Sequence, residues 1–437
     1  MTNSSGDSRG VDVDVVIVGG RPAGSTLAAR LGAAGHRVLL VDRARFPSPP
    51  GVPSSPLLYQ SAMAVLDELG IDESEYRAAS QPTSAFGFAF GDVFETVFQI
   101  PTMWGRNYVC GLDRVGFDEV LWRNLARFPS VERREGFAVT DLLRDEGGRV
   151  VGVIGSERGG PAQQIRARAV VGADGRFSLI ARKVGAPITE QEAECVSTVY
   201  FAEWEGVTPF GDGLDCAQIH VTGRGLDVLC LPMPGGRMTL NTHARADRVD
   251  IHGDAQRYYV DTVRSVPTLA RRLGDARQVT EVVGIKRVGN GYRRASGPGW
   301  VLVGDAAHYK DPVDGQGIYD ALTGARLLAA ALGPWLAGEL GWEAAMAEYQ
   351  RELYAATHPM YLETVGRLRR ELYDEPPTLV IKTLIRWTMT DPAYQTRFMN
   401  YLGRTIPVAG WSSPQLIAGA VMRGIWRDLT GGRARAA

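Results

Sequence analysis

The run VVIVGGRPAGSTLAARL, Val15 to Leu31, constrains the fold of this chain more than any other stretch. Val13 to Gly19 is a short apolar run of strand formers ending in glycines, and Ala23 to Ala34 is rich in helix formers, so the segment reads strand, turn, helix. Arg37 to Asp42 reads as a second strand and completes a βαβ unit. Gly19, Gly20 and Gly24, with Pro22 and Ala23 among them, give a turn at which backbone N–H groups and a helix N-terminus approach a pyrophosphate. Asp42 lies about 20 residues beyond the turn, where a carboxylate accepts hydrogen bonds from a ribose. A tight turn that binds nothing would share the glycines but not the whole order of strand, turn, helix, strand and acid. The pattern alone does not choose between NAD and FAD. Its irregularity is Arg21, which stands where G-x-G-x-x-G has its second glycine.

With 437 residues, 45% of them hydrophobic, the chain can fill the cores of two or three domains. Its formal net charge of -1 is spread without a basic stripe, which argues against nucleic acid as a partner. Cys110, Cys195, Cys216 and Cys230 form no CxxC pair and have no clustered histidines, so they read as free thiols, with neither a metal site nor a redox dithiol expected. The polar start MTNSSGDSRGVDVD lacks an apolar signal region, and no apolar run reaches the ~20 residues of a membrane span. A cytoplasmic protein without a transmembrane segment is expected.

Further along, Ser84 to Ile100 alternates aromatics, as in Phe86, Phe88 and Phe90, which predicts a half-buried antiparallel strand pair. Arg114 to Arg127 reads as helix, while Arg149 to Ile154 and Ala167 to Val171 read as strands. Val196 to His243 reads as a meander in its own β-sheet domain, with Gly235 and Gly236 of PMPGGR suited to a hairpin turn. Trp300 to Gly304 is one more buried strand, and a long helix follows from about Gln316 to Leu332. From Glu343 onward the text is helical and aromatic-rich, broken by Pro376, Pro377, Pro392 and Pro407.

The choice of cofactor comes from VLVGDAAHYKDPVDGQGIYDAL, where Gly304 and Asp305 end a strand and a glycine-flanked helix begins twelve residues later. A carboxylate there binds the ribityl hydroxyls of a flavin, and the helix N-terminus sets its positive dipole against flavin N1 and O2 as the ring gains electrons. This favours FAD.

GDAAH...P..GQG resembles the second FAD motif of the group A flavoprotein monooxygenases, the family of para-hydroxybenzoate hydroxylase and the aromatic polyketide hydroxylases. VVGADGRFSLIARKVGAP, Val170 to Pro187, is similar to that family's middle motif, and GGRPAGS with DRARFP resembles an actinomycete-type branch whose first motif is G-x-R-x-x-G-S. Arg21 is then a family variant, either near the pyrophosphate or solvated. The resemblance implies noncovalent FAD, with Asp42 on the adenosine ribose, Arg43 by the adenine, Arg114 beside the cofactor and Val139 at the adenine edge. It places Asp305 on ribityl oxygen and Pro312, Gly315, Gly317 and Ile318 along the isoalloxazine. Asp174 belongs either to the cofactor site or to a plain hairpin with a solvated Arg176, and His308 is structural more often than catalytic in this motif.

The implied fold is α/β: a Rossmann-like FAD-binding domain of the GR2 type, an inserted antiparallel β-sheet substrate domain and a helical C-terminal part. The expected segments are FAD-binding 11–83, 111–190 and 281–342, substrate-domain strands 84–110, the β-sheet substrate domain 191–280, and a helical region 343–437. The implied chemistry is reduction of FAD by NAD(P)H as a transient co-substrate, capture of O2 as a flavin C4a-hydroperoxide, and hydroxylation or epoxidation of an electron-rich small molecule, aromatic or polyketide-like. Pocket candidates are Phe86, Phe88, Tyr200, His220 and Met233, each of which also reads as ordinary core. Three alternatives stand beside this reading: a flavin-dependent halogenase, although its W-x-W-x-I-P signature is absent and no lysine precedes Lys183; a geranylgeranyl reductase-like enzyme; and a flavin-binding protein without catalysis.

Overall fold

A computed structural model of the chain describes residues 12–52, 55–211, 213, 215–374 and 378–430, and Pro376 and Pro377 lie outside that set. The first sheet is built on Val13–Val18, which pairs in parallel with Val38–Asp42 on one side and Gln163–Gly172 on the other. Val15, Val16 and Ile17 are fully buried between layers, and burying each such side chain contributes about 1.5–3 kcal/mol. Val131–Glu135 and Trp300–Leu302 extend the sheet in parallel at either end, and Ser296–Gly297 closes it antiparallel. A strand meander, Phe137–Arg144, Val150–Glu157 and Gln163–Gly172, branches from it. Pro22–Ala33 and Gly317–Leu336 are the helices packed over it, and they touch each other extensively. The expected βαβ start is therefore present within a residue or two at each end.

The second sheet runs His308–Tyr309, Val283–Arg293, Ile188–Glu205, Arg237–Arg245, Leu226–Met233, Ala217–Val221, Ala85–Phe90, Phe94–Gln99. Gly235 and Gly236 turn the chain between two of these strands with φ of 78° and 73°, a conformation that glycine takes without strain. The aromatic pair forms antiparallel as expected, but Ala85–Phe90 is buried at every position rather than half-buried, and it joins Ala217–Val221 in parallel, so the strand pair and the middle meander make one sheet. Val283–Arg293, expected in the third FAD-binding segment, is a long strand of this same sheet, because it pairs along much of Ile188–Glu205.

One face of the second sheet packs against Ala255–Ser265 and Pro267–Ala270, in a cluster that includes Tyr200, Trp204, Leu240, Tyr259 and Leu269. The other face looks toward the first sheet and the C-terminal helices. There Phe86, Phe88 and Leu229 pack with Met360, Met399 and Trp411. Trp342–Leu368, Thr378–Met389 and Pro392–Leu402 thus contribute to this core, and Pro414–Leu429 packs against the last two. No helix of the described residues is long and apolar enough to cross a membrane, and no group of three or more metal-ligating side chains occurs among them.

Candidate active site

Between the two sheets lies a cavity of about 590 Å³, within the range of cofactor and ligand pockets. At one end is the glycine turn. Gly19 has φ of +108°, and a Cβ on Gly24 would stand 1.8 Å from the Gly19 carbonyl oxygen, so strand and helix meet closer than any side chain allows. Asp42 fixes the turn from below: its Oδ2 accepts the Gly20 N–H at 2.7 Å and its Oδ1 the Ala44 N–H at 2.8 Å. Gly19, Arg21, Pro22, Ala23, Asp42 and Arg43 line the cavity, with Arg114 and Val139 beside them. Gly20 and Gly24 do not line it, and act by shaping the turn.

Arg21 borders the cavity, and its guanidinium is engaged by protein groups rather than left to solvent. Its Nη1 lies 2.6 Å from Asp118, whose side chain is fully buried, and its guanidinium also donates to the Ser48 carbonyl and hydroxyl and to the Pro49 carbonyl. Arg114 holds the same Asp118 at 3.0 Å, four residues away on the helix Arg114–Asn124. Arg21 also lies over the Phe46 ring, which stacks on Trp122. The arginine that replaces the second glycine therefore rivets the loop after Asp42 to a neighbouring helix. The partner Asp118 sits 97 residues away, and no local signal marks it.

The N-terminus of Gly317–Leu336 also opens on the cavity, and Gly304 packs close to Ala23 of the glycine turn. Asp305, Pro312, Gly315, Gly317 and Ile318 all line the cavity there, with Gly304. Burial raises the Asp305 carboxyl above its usual range, against the pull of the Arg176 charge. Asp320, in the first turn of the helix, lies 2.8 Å from Lys310 and 3.3 Å from Arg404, all three nearly buried. Burial alone would raise Asp320, but Lys310 and Arg404 outweigh it and hold the group as a carboxylate. Arg404 also donates to Gln316, tying the C-terminal region to this part of the cavity. His308 lies buried against the Tyr292 ring at 4.4 Å; burial pushes it down to about 3, so it is neutral.

Asp174 also lines the cavity, and its carboxylate accepts the Ser178 hydroxyl at 2.6 Å and the Leu179 N–H at 2.6 Å at the start of Leu179–Lys183. Arg176 is not a solvated neighbour: it donates to the Gly289 carbonyl at 2.7 Å and to the Lys310 carbonyl.

The wall facing this is the second sheet. Val199, Phe201, Asn241, His243, Ile285 and Val288 line the cavity, and pairings such as Val199 with His243 and Phe201 with Asn241 put most of them on one face. None of the pocket candidates Phe86, Phe88, Tyr200, His220 and Met233 lines the cavity. Tyr200 points to the opposite face, into the cluster with Tyr259. His220 is a satisfied core histidine, with Nδ1 2.7 Å from Thr268 and Nε2 3.2 Å from Gln218. Phe86 and Phe88 lie on the correct side but beyond the cavity, under the C-terminal helices, and Met233 packs by Gly111. Alternation along Ile188–Glu205 marks two faces without saying which one meets the cofactor.

These features suit a flavin dinucleotide. The glycine cradle suits a pyrophosphate, a helix N-terminus and the Asp305 carboxylate line the same cavity, and Ser55 Oγ, His243 Nε2 and His308 Nε2, all in cavity-lining residues, have no hydrogen-bond partner among the described residues. Buried polar atoms of this kind are normally paired, so a polar ligand is the expected complement.

The FAD binding domain family model matches residues 12–359. The chain is similar to 6-methylpretetramide 4-monooxygenase of Streptomyces rimosus, 26% identical over 91% of this chain and 94% of that protein. It is 30% identical to digeranylgeranylglycerophospholipid reductase 2 of Methanopyrus kandleri, over 72% of this chain and 76% of that one. It is 25% identical to conditioned medium factor receptor 1 of Dictyostelium discoideum, of whose length it spans 63%. Among solved structures, a flavin-dependent brominase, Bmp2, shares the fold with a TM-score of 0.74 at 19% identity, over 95% of this chain and 99% of that one. The cavity's glycine turn, its Asp305 end and the match over residues 12–359 agree: the chain belongs to the FAD-binding-domain family of group A flavoprotein monooxygenases and is an FAD-dependent oxidoreductase.

Proposed function

We propose that this enzyme uses NADPH or NADH and O2 to insert one oxygen atom into an electron-rich small molecule, aromatic or polyketide-like, by hydroxylation or epoxidation. The observation that carries the reading is continuity: the glycine-turn end, the Asp305 end and the sheet wall open into one cavity, so a cofactor held by the first two acts on a compound held by the third. Bound FAD supplies electron transfer from the nicotinamide and activation of O2. The chain's own residues bind and orient. Asp42 and the glycine turn would hold the dinucleotide, and the N-terminus of Gly317–Leu336 would favour negative charge on a flavin bound in the cavity. Val199, Phe201, Ile285 and Val288 exclude water, while Asn241 and His243 offer polar contacts to the substrate. The nicotinamide visits only transiently, because the single glycine turn with its acid is taken by FAD. The similarity to a 6-methylpretetramide monooxygenase supports the substrate class.

The test is a compound screen with purified holoprotein for accelerated NAD(P)H oxidation under isotopically labelled O2. One labelled atom in the product is expected. The 30% identity to the Methanopyrus reductase favours a second reading, reduction of a substrate double bond; a reduced product without label supports it, and a halide-dependent product supports halogenation. In anaerobic mixing with NADPH or NADH and an accepted substrate, the flavin is expected to bleach without a separate reductase.

A further inference from the structure

Two of the six histidines are buried in ways that contrast sharply. His220 has both ring nitrogens bonded. His243, fully buried on the sheet wall, has only one: Nδ1 lies 3.2 Å from Asp311 Oδ1, and Nε2 has no partner among the described residues. Both His243 and Asp311 line the cavity.

Asp311 is fixed from several directions. Its Oδ1 accepts the Val313 N–H at 3.0 Å, its Oδ2 accepts the Ser197 hydroxyl, and its own N–H donates to Asn290 at 2.6 Å. Burial alone would raise its carboxyl, but the bond and charge of His243, with the bonds from Ser197 and Val313, outweigh that and keep it below the usual range. A carboxylate only accepts, so the Nδ1–H of His243 donates to it, and the tautomer this fixes carries its lone pair on Nε2. Directly across the sheet from His243 is Asp227, fully buried. Burial and the charge of Glu371 push Asp227 well up, and neither of its carboxyl oxygens has a hydrogen-bond partner among the described residues.

We propose that His243 is the catalytic base of the substrate half-reaction and that Asp311 is its positioning residue, for a substrate carrying an ionisable hydroxyl, a phenol or an enol, bound against the sheet wall. The substrate O–H bond breaks, an N–H bond forms on Nε2, and the electron pair stays on the substrate oxygen, where conjugation makes the ring or alkene carbons more electron-rich. Nothing is oxidised or reduced in this step. Asp311 stabilises the imidazolium, and His243 gives the proton up to solvent when the product leaves the cavity. The proposal rests on the monooxygenase reading for the oxygen transfer that follows, and on the geometry alone for the proton transfer.

The test has two arms. Nitrogen NMR of FAD-loaded enzyme labelled in histidine, with the signal assigned through His243→Gln, is expected to show His243 as the Nδ1–H tautomer with bare Nε2, and Asp311→Asn is expected to abolish that preference. Should His243→Gln fail to hold FAD, the wild-type signal that moves on Asp311→Asn makes the assignment. With a substrate from the labelled-oxygen screen, His243→Gln is expected to lower kcat by about a hundredfold, and added imidazole is expected to restore part of the activity of His243→Ala. FAD content and Tm serve as fold controls. An Nε2–H tautomer in the wild type, or wild-type kcat in His243→Gln, overturns the assignment. If no product carries label, the monooxygenase reading falls while the NMR arm still decides the proton-transfer pair.

Discussion

The glycine turn and the sheet wall of the cavity are built by different means. The glycine-turn end is made of backbone: Gly19, Gly20 and Gly24 bring strand and helix together, and Asp42 spends both carboxylate oxygens on main-chain N–H groups. The sheet wall is made of side chains, Val199, Phe201, Asn241, His243 and Ile285, drawn from three strands. Backbone construction leaves little room for variation, since every member of the family must reach the same phosphate. A side-chain wall changes its chemistry by substitution without moving the scaffold, which is how one fold hosts several reactions. The monooxygenase, reductase and brominase similarities fit that division.

The sharpest way to break the comparison is Gly24→Val. The added Cβ would stand 1.8 Å from the Gly19 carbonyl, with the rest of the side chain to place as well. Purification is expected to yield protein without flavin and with poor solubility; a full complement of FAD at the wild-type Tm would show that the turn yields. Next comes a pair that separates holding the cofactor from holding the scaffold. Asp305→Ala is expected to weaken FAD binding by about 1.5–3 kcal/mol, the scale of hydrogen bonds to a charged group. Arg21→Ala is expected to leave FAD affinity nearly intact and to lower stability by about 1–3 kcal/mol, because Asp118 loses one of two cations while Arg114 remains. FAD titration and denaturant melts measure the two quantities, and equal losses of affinity would place Arg21 at the cofactor after all.

Acid acts more gently. Burial lowers His220 and His308 from 6.5 to about 3, so each is neutral when folded and protonates more readily when unfolded. The unfolded state therefore binds more protons between these values, and the stability each contributes is complete above 6.5 and is lost as pH falls toward about 3. One unit below the unfolded value the loss is about 1.4 kcal/mol for each histidine. Denaturant melts of wild type and His220→Gln across that range check it: the variant is expected to show a shallower acid slope, and parallel curves would contradict the buried, neutral assignment. The smallest effect belongs to Tyr200→Phe, which lies on the face away from the cavity. It is expected to change stability by no more than about 0.5 kcal/mol and to leave KM untouched, whereas Phe201→Ala, one residue along on the cavity face, is expected to raise KM. A Tyr200→Phe variant with altered KM would reverse the assignment of faces.

That last contrast states how far the text of the chain carries. The turn at Gly19, the acid at Asp42 and the Asp305 helix start are legible because each is a local arrangement, written over a couple of dozen residues with the chemistry dictated by backbone geometry. The face of a strand is not legible in this way. Tyr200 and Phe201 are neighbours, both apolar and aromatic, and a period of two says only that they point oppositely. Likewise the parallel joining of Ala85–Phe90 to Ala217–Val221 leaves no mark in either segment.

By itself, then, the sequence determined the cofactor-binding half of this protein: a βαβ start, a glycine cradle, a carboxylate and a helix N-terminus further along the chain, all of them encoded between near neighbours. Only the tertiary structure decided that Arg21 clasps Asp118, that Lys310 and Arg404 meet Asp320, and that His243 meets Asp311 on the cavity wall. Those partners lie far apart in the chain, apart from Lys310 and Asp320. What brings them together is the packing of two sheets and the C-terminal helices around a common core, where buried charges are stable only once paired.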